Sequence, residues 1–151
     1  MLGTLTIQEI DEVLSRNITG RIGCSNAEKM YIVPISFAFN GNYLLAHSRE
    51  GLKINMMRQH PEVCFQVDEI DDYANWRSVV LWGSYEEITD PRERYYAMKF
   101  LVSRLIHQNV SETAGVPEMS GELQQEAPAL VIRPVVYRIR IKEKTGRFER
   151  R

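Results

Sequence analysis

The chain has few cysteines and no long apolar run, and each of these absences excludes a class of protein. Cys24 and Cys64 are the only cysteines among 151 residues, and they do not form a C-x-x-C motif. Two cysteines are too few for a disulfide framework, so we expect reduced thiols buried in strands. No segment approaches the run of about 18 apolar residues that a membrane-spanning helix requires, and residues 1–10 lack the features of a signal peptide. We therefore expect a cytoplasmic protein with no membrane partner.

A strong excess of one charge is also missing, since the formal net charge is −1 at pH 7. Proteins that bind nucleic acids usually carry a basic excess or a basic face. The segment 138–151 is basic, but Arg138, Arg140 and Lys142 alternate with apolar residues, which is typical of one solvated face of a strand. We therefore expect no nucleic-acid partner.

Motifs of common nucleotide, metal and hydrolase sites are absent as well. The sequence contains neither the G-x-G-x-x-G fingerprint nor the P-loop pattern, so we do not expect a Rossmann or P-loop nucleotide site. His47, His60 and His107 lack the spacing of metal ligands, and no nucleophile elbow occurs. We expect no metal site, and the catalytic residues stay unassigned.

The order of the predicted elements favours a mainly β fold. A chain of 151 residues is long enough for one domain with a substantial core, so residues 1–151 are predicted to form a single domain. Short strands joined by hairpins, with few helices, favour an antiparallel barrel with flanking helices over a doubly wound sheet. The predicted helices begin after a capping box at Thr6, at residue 50 (50–59) and after Asp90. The predicted strands cover 21–25, 30–39, 43–47, 63–67, 77–88 with a bend at Gly83, 129–133 and 135–144; 68–75 is predicted to be a loop, and 109–128 a lid or a partner contact.

The segment 47–53 carries the clearest chemical signal, because it places polar residues where a strand is followed by a helix. Free N–H groups and the positive end of the helix dipole converge at such a junction and bind phosphate. His47 and Ser48 lie at the strand end, Gly51 permits close backbone approach, and Lys53 falls on the first helical turn. The alternative is a surface turn with an exposed lysine.

Two further segments could contact a planar ligand. Val33, Pro34, Ile35 and Ser36 offer main-chain groups that are not all committed to strand pairing, because proline cannot donate to a ladder. Trp76 could stack on a ring, Arg77 could bind a phosphate or a ring edge, and Ser78 could donate a hydrogen bond. The alternatives are a plain edge strand, a Trp76 that only plugs the barrel end and a solvated Arg77.

Together these segments resemble the pyridoxamine 5′-phosphate oxidase-like flavin proteins, and within them the branch that contains the nitroimidazole-resistance proteins. The resemblance extends from about Gly20 to Thr89, with weaker agreement through the helix after Asp90 and through 138–147. The order and spacing of the matching segments are more specific to this family than any single segment. The segments that carry it are 20–23 (GRIG), 31–37 (YIVPISF), 47–53 (HSREGLK), 61–65 (PEVCF) and 76–80 (WRSVV), with Gly83.

The resemblance implies a six-stranded antiparallel split β-barrel that forms a homodimer and binds FMN, with FAD as the alternative, in two clefts at the subunit interface. By the family pattern, the phosphate is surrounded by His47, Ser48, Gly51 and Lys53. The isoalloxazine is bordered by Val33, Pro34, Ile35 and Ser36, and the neighbouring strand contributes Trp76, Arg77 and Ser78 near the cofactor.

The C-terminal end departs from the family pattern. Residues 144–151 contain no histidine, whereas true pyridoxamine phosphate oxidases end in a substrate-binding stretch with arginine and histidine close together. We therefore do not expect the vitamin oxidase activity. The resemblance implies an FMN-dependent oxidoreductase acting on a small-molecule electron acceptor, with nitroaromatics as one class. The alternatives are a flavin- or haem-binding carrier or sensor without turnover, and an apo structural barrel.

Overall fold

Antiparallel strands form one curled sheet, and helices flank it, as the sequence predicts for a split barrel. The structure is a computed structural model that describes residues 1–106 and 133–151. Within these ranges the sheet has eight strands: six long ones, the number that the resemblance implies, and two short ones, β1 and β4. In chain order the elements are β1 (Leu2–Thr4), α1 (Ile7–Arg16), β2 (Thr19–Ser25), β3 (Met30–Ser36), β4 (Ala38–Phe39), β5 (Tyr43–Ser48), α2 (Leu52–Gln59), β6 (Glu62–Asp72), β7 (Asn75–Glu87), α3 (Pro91–Leu105) and β8 (Val135–Glu149).

The strands at the two ends of the sheet, β3 and β4, are consecutive in the chain. The strand order is β3-β2-β6-β7-β8-β5-β4, with β1 paired to β8. The predicted strand 30–39 is therefore divided at Phe37: its first part pairs with β2 and its last two residues pair with β5. The division occurs because the Phe37 N–H donates to the Ile18 carbonyl (2.8 Å) while its ring is fully buried. Strands β3 and β5 contact each other without pairing, and we call the gap between them the seam.

The core fills the inside of the curled sheet with side chains from alternate strand positions. Phe37 and Phe65 meet edge to face with ring centroids 4.8 Å apart, and Tyr137 is fully buried nearby in the same cluster. A second cluster lies under α3, where Met98 and Leu101 are buried. Such burial supplies most of the favourable free energy of folding.

Local capping signals are found where the sequence predicts them. The Thr6 hydroxyl accepts from the Glu9 N–H (3.2 Å) and completes the capping box of α1. Asp90 accepts from the Glu93 N–H (3.0 Å) at the start of α3, with Pro91 at its first position. These bonds satisfy N–H groups that a helix start otherwise leaves without partners.

The prediction of a loop at 68–75 is wrong. Strand β6 continues to Asp72 and forms a hairpin with β7, in which Ile70 pairs with Trp76. The Asp72 carboxylate accepts from the Ala74 N–H (2.7 Å) and holds the turn. Both faces of this extension are largely solvated, so its residues need not alternate between apolar and polar. The acidic sequence therefore lacks the pattern by which a strand is predicted.

The long strands β7 and β8 are offset at Gly83, where the sequence predicts a bend. Trp82 pairs with Glu143 but Gly83 pairs with Ile141, so one extra residue, Lys142, is accommodated on β8. Strand β8 is also longer than predicted. The expectations for 109–128 and 129–132 lie outside the described residues.

Candidate functional site

The N-terminus of α2 is open. Gly51 occupies the cap position and provides no side-chain hydrogen bond, and the first turn contains no acidic residue. The first backbone bond of the helix runs from the Asn55 N–H to the Gly51 carbonyl (3.0 Å). The N–H groups before Asn55 are therefore donors directed away from the helix, at its positive end.

Gly51 has an extended backbone with φ 176° that any residue can adopt. An added Cβ would meet nothing within 4 Å. Neither strain nor crowding within the described chain requires glycine here, so the space above this residue is open to a ligand.

Lys53 lies on the first turn of α2 with its side chain half-buried. Burial lowers the pKa of its ammonium group, and Cys24 acts weakly in the opposite direction. Within residues 1–106 and 133–151, Lys53 makes no hydrogen bond and no ion pair. An ammonium group that has lost water without gaining a carboxylate is suited to bind an external anion.

His47 and Ser48 end β5, opposite Val136 and Val135 of β8. His47 is half-buried and Ser48 is buried. The Ser48 hydroxyl donates to the Arg49 carbonyl (2.9 Å), so its proton is used to hold the turn that leads to α2. In this arrangement Ser48 can offer an external ligand only the lone pairs of its oxygen.

Strand β3 presents an unpaired backbone edge, as expected from its proline. It pairs with β2 alone, and Pro34 is opposite Arg21. Because proline has no N–H, the main chain at Pro34 is directed toward the free edge. Backbone groups alternate in direction along a strand, so those of Ile32 and Ser36 point the same way.

The β3 edge and the start of α2 lie at the same seam. Ala38 pairs with Leu45, so Ser36 and His47 each lie two residues beyond the last pair of β4 and β5. The two strands separate at this point, since Ser36 pairs with Thr19 instead. The structure therefore brings β3, which contains residues 33–36, into contact with β5, which leads to α2.

Trp76, Arg77 and Ser78 lie elsewhere. Trp76 pairs with Glu149 of β8, whereas His47 pairs with Val136 of the same strand. Thirteen strand positions separate these partners, or roughly 40 Å of strand at about 3.3 Å per residue. One chain does not place Trp76 beside the start of α2.

Trp76 and Arg77 line a separate groove of about 550 Å³ at the end of β8. The Trp76 indole N–H donates to Glu149 (3.1 Å), and Arg77 lowers the pKa of the Glu69 carboxyl together with Arg16, which has the larger effect. Ser78 accepts a hydrogen bond from Gln66 (3.1 Å). This groove and the seam are distinct surfaces of one chain.

Sequence reasoning missed Arg58 in the last turn of α2. Its guanidinium binds both carboxylate oxygens of Glu50 (2.7 Å each) and one oxygen of Glu87 (2.6 and 3.0 Å). Glu50 precedes α2 and Glu87 ends β7, so no short spacing could reveal the network.

Within the described ranges, no group of three or more His, Cys, Asp or Glu side chains could hold a metal ion. In the same ranges, no helix combines the length and apolar character needed to cross a bilayer.

The model of the pyridoxamine 5′-phosphate oxidase family matches residues 6–148. The chain belongs to this family. The split-barrel fold and the family resemblance that the sequence segments indicate are thereby confirmed.

Solved structures agree with this assignment. The chain is 31% identical to a FAD-binding protein from Mesorhizobium loti, with a TM-score of 0.74 and coverage of 100% of this chain and 98% of the other. A candidate 5-nitroimidazole antibiotic resistance protein from Bacteroides thetaiotaomicron has the same fold, with 19% identity, a TM-score of 0.70 and coverage of 98% and 89%.

A curated relative gives less functional information. An uncharacterized protein from Rhizobium meliloti (strain 1021) is 37% identical over 81 residues. The aligned region is 54% of this chain and spans about half the length (54%) of that relative.

Proposed function

We propose that the chain binds a flavin at the seam, with its phosphate at the N-terminus of α2 and its ring system along the free edge of β3. The observation that carries the proposal is the half-buried Lys53 ammonium, without a carboxylate partner in the described residues, beside the uncapped helix start. A phosphate monoester carries about 1.5 to 2 negative charges at pH 7 and needs such compensation.

The donors available at the seam fit a phosphate. The N–H groups before Asn55 surround the helix axis, Lys53 supplies a positive charge, and Gly51 leaves room for close approach. Each helix-end charge interaction is worth about 0.3–1 kcal/mol, so several must act together. His47 borders the same place, and the oxygen of Ser48 is an acceptor only.

The β3 edge fits a ring with donors and acceptors on its rim. Free main-chain groups of Pro34 and Ser36 can pair with such a rim as a neighbouring strand would. The ribityl phosphate and ring are common to FMN and FAD, and the FAD-binding relative from Mesorhizobium loti makes both cofactors candidates.

A homodimer accounts for the remaining expected contacts. Since Trp76, Arg77 and Ser78 lie far along β8 from the seam, they reach a flavin there only from a second copy of the chain. We propose that the groove of one protomer lies near the seam of its partner, giving two equivalent cofactor sites.

The proposed activity is that of an oxidoreductase that reduces a small-molecule electron acceptor, with nitroaromatics as the class to assay first. A bound flavin supplies the electron transfer, while the chain's residues bind and orient it and exclude water. No described side chain is assigned as an acid or base.

Lys53→Met tests the cofactor assignment. Because hydrogen bonds to charged groups contribute about 1.5–3 kcal/mol, the variant should bind FMN roughly 10- to 100-fold more weakly, with riboflavin affinity unchanged. Titration with FMN, FAD and riboflavin, followed by flavin fluorescence, measures both effects.

Lys29→Met, at an exposed turn residue, is the matched control and should bind FMN as the wild type does. Equal FMN affinities in wild type and Lys53→Met would remove the phosphate assignment. If the flavin is reduced but no acceptor is consumed, the protein is a carrier or sensor and not an oxidoreductase.

A further inference from the structure

Glu50 is the acidic residue nearest in sequence to the proposed phosphate site, and its carboxylate is bound by Arg58. Both of its carboxylate oxygens accept from Arg58 at 2.7 Å. Arg58 lies in the last turn of α2, whereas Glu50 precedes the helix start. Arg58 and Lys53 are five residues apart on α2, or about 140° around the helix axis, so the pairing holds the carboxylate on a different face of the helix from Lys53.

If it were released from Arg58, the Glu50 carboxylate would be attracted to two groups at the start of α2: the Lys53 ammonium and the positive end of the helix dipole. Glu50 directly precedes the cap residue Gly51 and is only three residues before Lys53, so its carboxylate has a short path to the Lys53 ammonium. A carboxylate beside a helix N-terminus is also favoured by the dipole. Because the group is part of the same chain, it would compete with a phosphate at a high effective concentration.

Arg58 is itself held in place from the sheet. Glu87 at the end of β7 accepts from two of its nitrogens, and the same Glu87 oxygen accepts from the Tyr85 hydroxyl (2.9 Å). The hydrogen bonds from Arg58 lower the pKa of the Glu50 carboxyl, so this carboxylate stays ionised while it is bound to Arg58. The anchor makes Arg58 a fixed hydrogen-bond donor for the Glu50 carboxylate.

We propose that Arg58 is a positioning residue for the cofactor site: it holds the Glu50 carboxylate away from Lys53 and the start of α2, and so keeps that site free for a phosphate ester. The inference rests on the proposed flavin function. It assigns to Arg58 no contact with the cofactor, only an effect through Glu50.

The test compares Arg58→Met, Glu50→Ala and the double variant by their affinities for FMN and for riboflavin, which lacks the phosphate. Arg58→Met should weaken FMN binding roughly three- to tenfold, as expected for a competing charge at a helix start, and leave riboflavin binding unchanged. Glu50→Ala should bind FMN as the wild type does. The double variant should recover the FMN affinity that Arg58→Met loses.

Arg140→Met is the matched control, because Arg140 also binds both oxygens of one glutamate, Glu86, at the surface of the sheet. It should leave both affinities unchanged. If Arg58→Met does not fold, Arg58→Gln, which keeps the length and part of the hydrogen bonding, replaces it in the same comparison.

The outcomes distinguish a failure of the role proposed for Arg58 from a failure of the proposed flavin function. A wild type that binds FMN no better than riboflavin overturns the proposed flavin function. A wild type that prefers FMN, with an unchanged preference in Arg58→Met, overturns the role of Arg58 alone. An equal loss of FMN affinity in Glu50→Ala and Arg58→Met also overturns it. In that case the Glu50–Arg58 pair would act only by holding the conformation of the loop before α2.

Discussion

Lys53 shows how one side chain can be unfavourable for folding and useful for binding. Burial lowers its pKa in the folded state below the ordinary value of 10.5. The unfolded chain therefore binds more protons in the window below 10.5, and the stability of the ligand-free protein increases with pH across that window. An anion that reaches the ammonium group reverses the shift, because it stabilises the charged form.

This reversal predicts a pH dependence for FMN binding. Lys53 should have a higher pKa in the complex than in the free protein, so its contribution to affinity is complete below the free-protein pKa. The contribution is lost as the pH rises through the pKa of the complex. FMN affinity measured from pH 7 to pH 10 should therefore fall at the alkaline end, while Lys53→Met shows a smaller fall.

Riboflavin, titrated over the same range, corrects for ionisation of the ring. An FMN affinity that is independent of pH after this correction would contradict a charged Lys53 at the phosphate.

Two glycines in different elements have opposite structural requirements. At the β7–β8 offset, a Cβ on Gly83 would overlap the Arg140 carbonyl oxygen and lie 2.8 Å from a methyl group of Ile139. The Arg140 contact is with backbone, which moves only if the paired strands move. At the start of α2, Gly51 has no neighbour within 4 Å of such a Cβ.

Alanine substitution should separate these roles. Gly83→Ala should destabilise the protein by about 1–3 kcal/mol, the usual cost of overpacking. Gly51→Ala should change stability by less than about 0.5 kcal/mol but weaken FMN binding, because its methyl group occupies the approach to the helix N–H groups. Urea unfolding gives the first quantity and flavin titration gives the second.

The two glycine variants serve as controls for each other. A stable Gly83→Ala protein would mean that the strands separate easily at the offset. A Gly51→Ala protein with wild-type affinity for both FMN and riboflavin would mean that the phosphate does not approach this residue.

The candidate cofactor-binding residues of one chain lie on two separate surfaces. Lys53 follows the end of β5, which pairs with the start of β8, and Trp76 lies in the groove near the end of that strand. Rigid strand pairing along β7 and β8 keeps these surfaces apart within one protomer. A shared site therefore requires two copies arranged about a two-fold axis.

Mixing two defective variants tests this arrangement. Lys53→Met and Trp76→Ala homodimers should both bind FMN weakly. A heterodimer of the two contains one site in which Lys53 and Trp76 are both intact, so refolding an equal mixture should restore roughly a quarter of the sites. Stoichiometric FMN titration counts these sites, and light scattering gives the oligomeric state.

Each variant refolded alone is the control and should gain no sites. A mixture that binds no more FMN than its components would show that Lys53 and Trp76 do not act in one shared site. A monomeric wild type that binds FMN fully would contradict the homodimer itself.

Several features follow from residues that are close together in the chain. The capping residues Thr6 and Asp90 start α1 and α3, and Gly41 with φ 97° makes the turn that the Asn40-Gly41 pair predicts. The strand-to-helix junction at 47–53 is equally local. The hydrogen bonds in such features join residues one to four positions apart, so the sequence by itself was sufficient to locate them.

Only the tertiary structure decided which of these local features lie near one another. It brought β3 and β5 into contact, put Trp76 at the far end of β8, and linked Arg58 to Glu50 and Glu87. These relations depend on strand register and sheet order, which are set by burial of the apolar face across the entire sheet. No short sequence window contains that information, because contacts such as Arg58–Glu87 and Trp76–Glu149 join residues that are 29 and 73 positions apart.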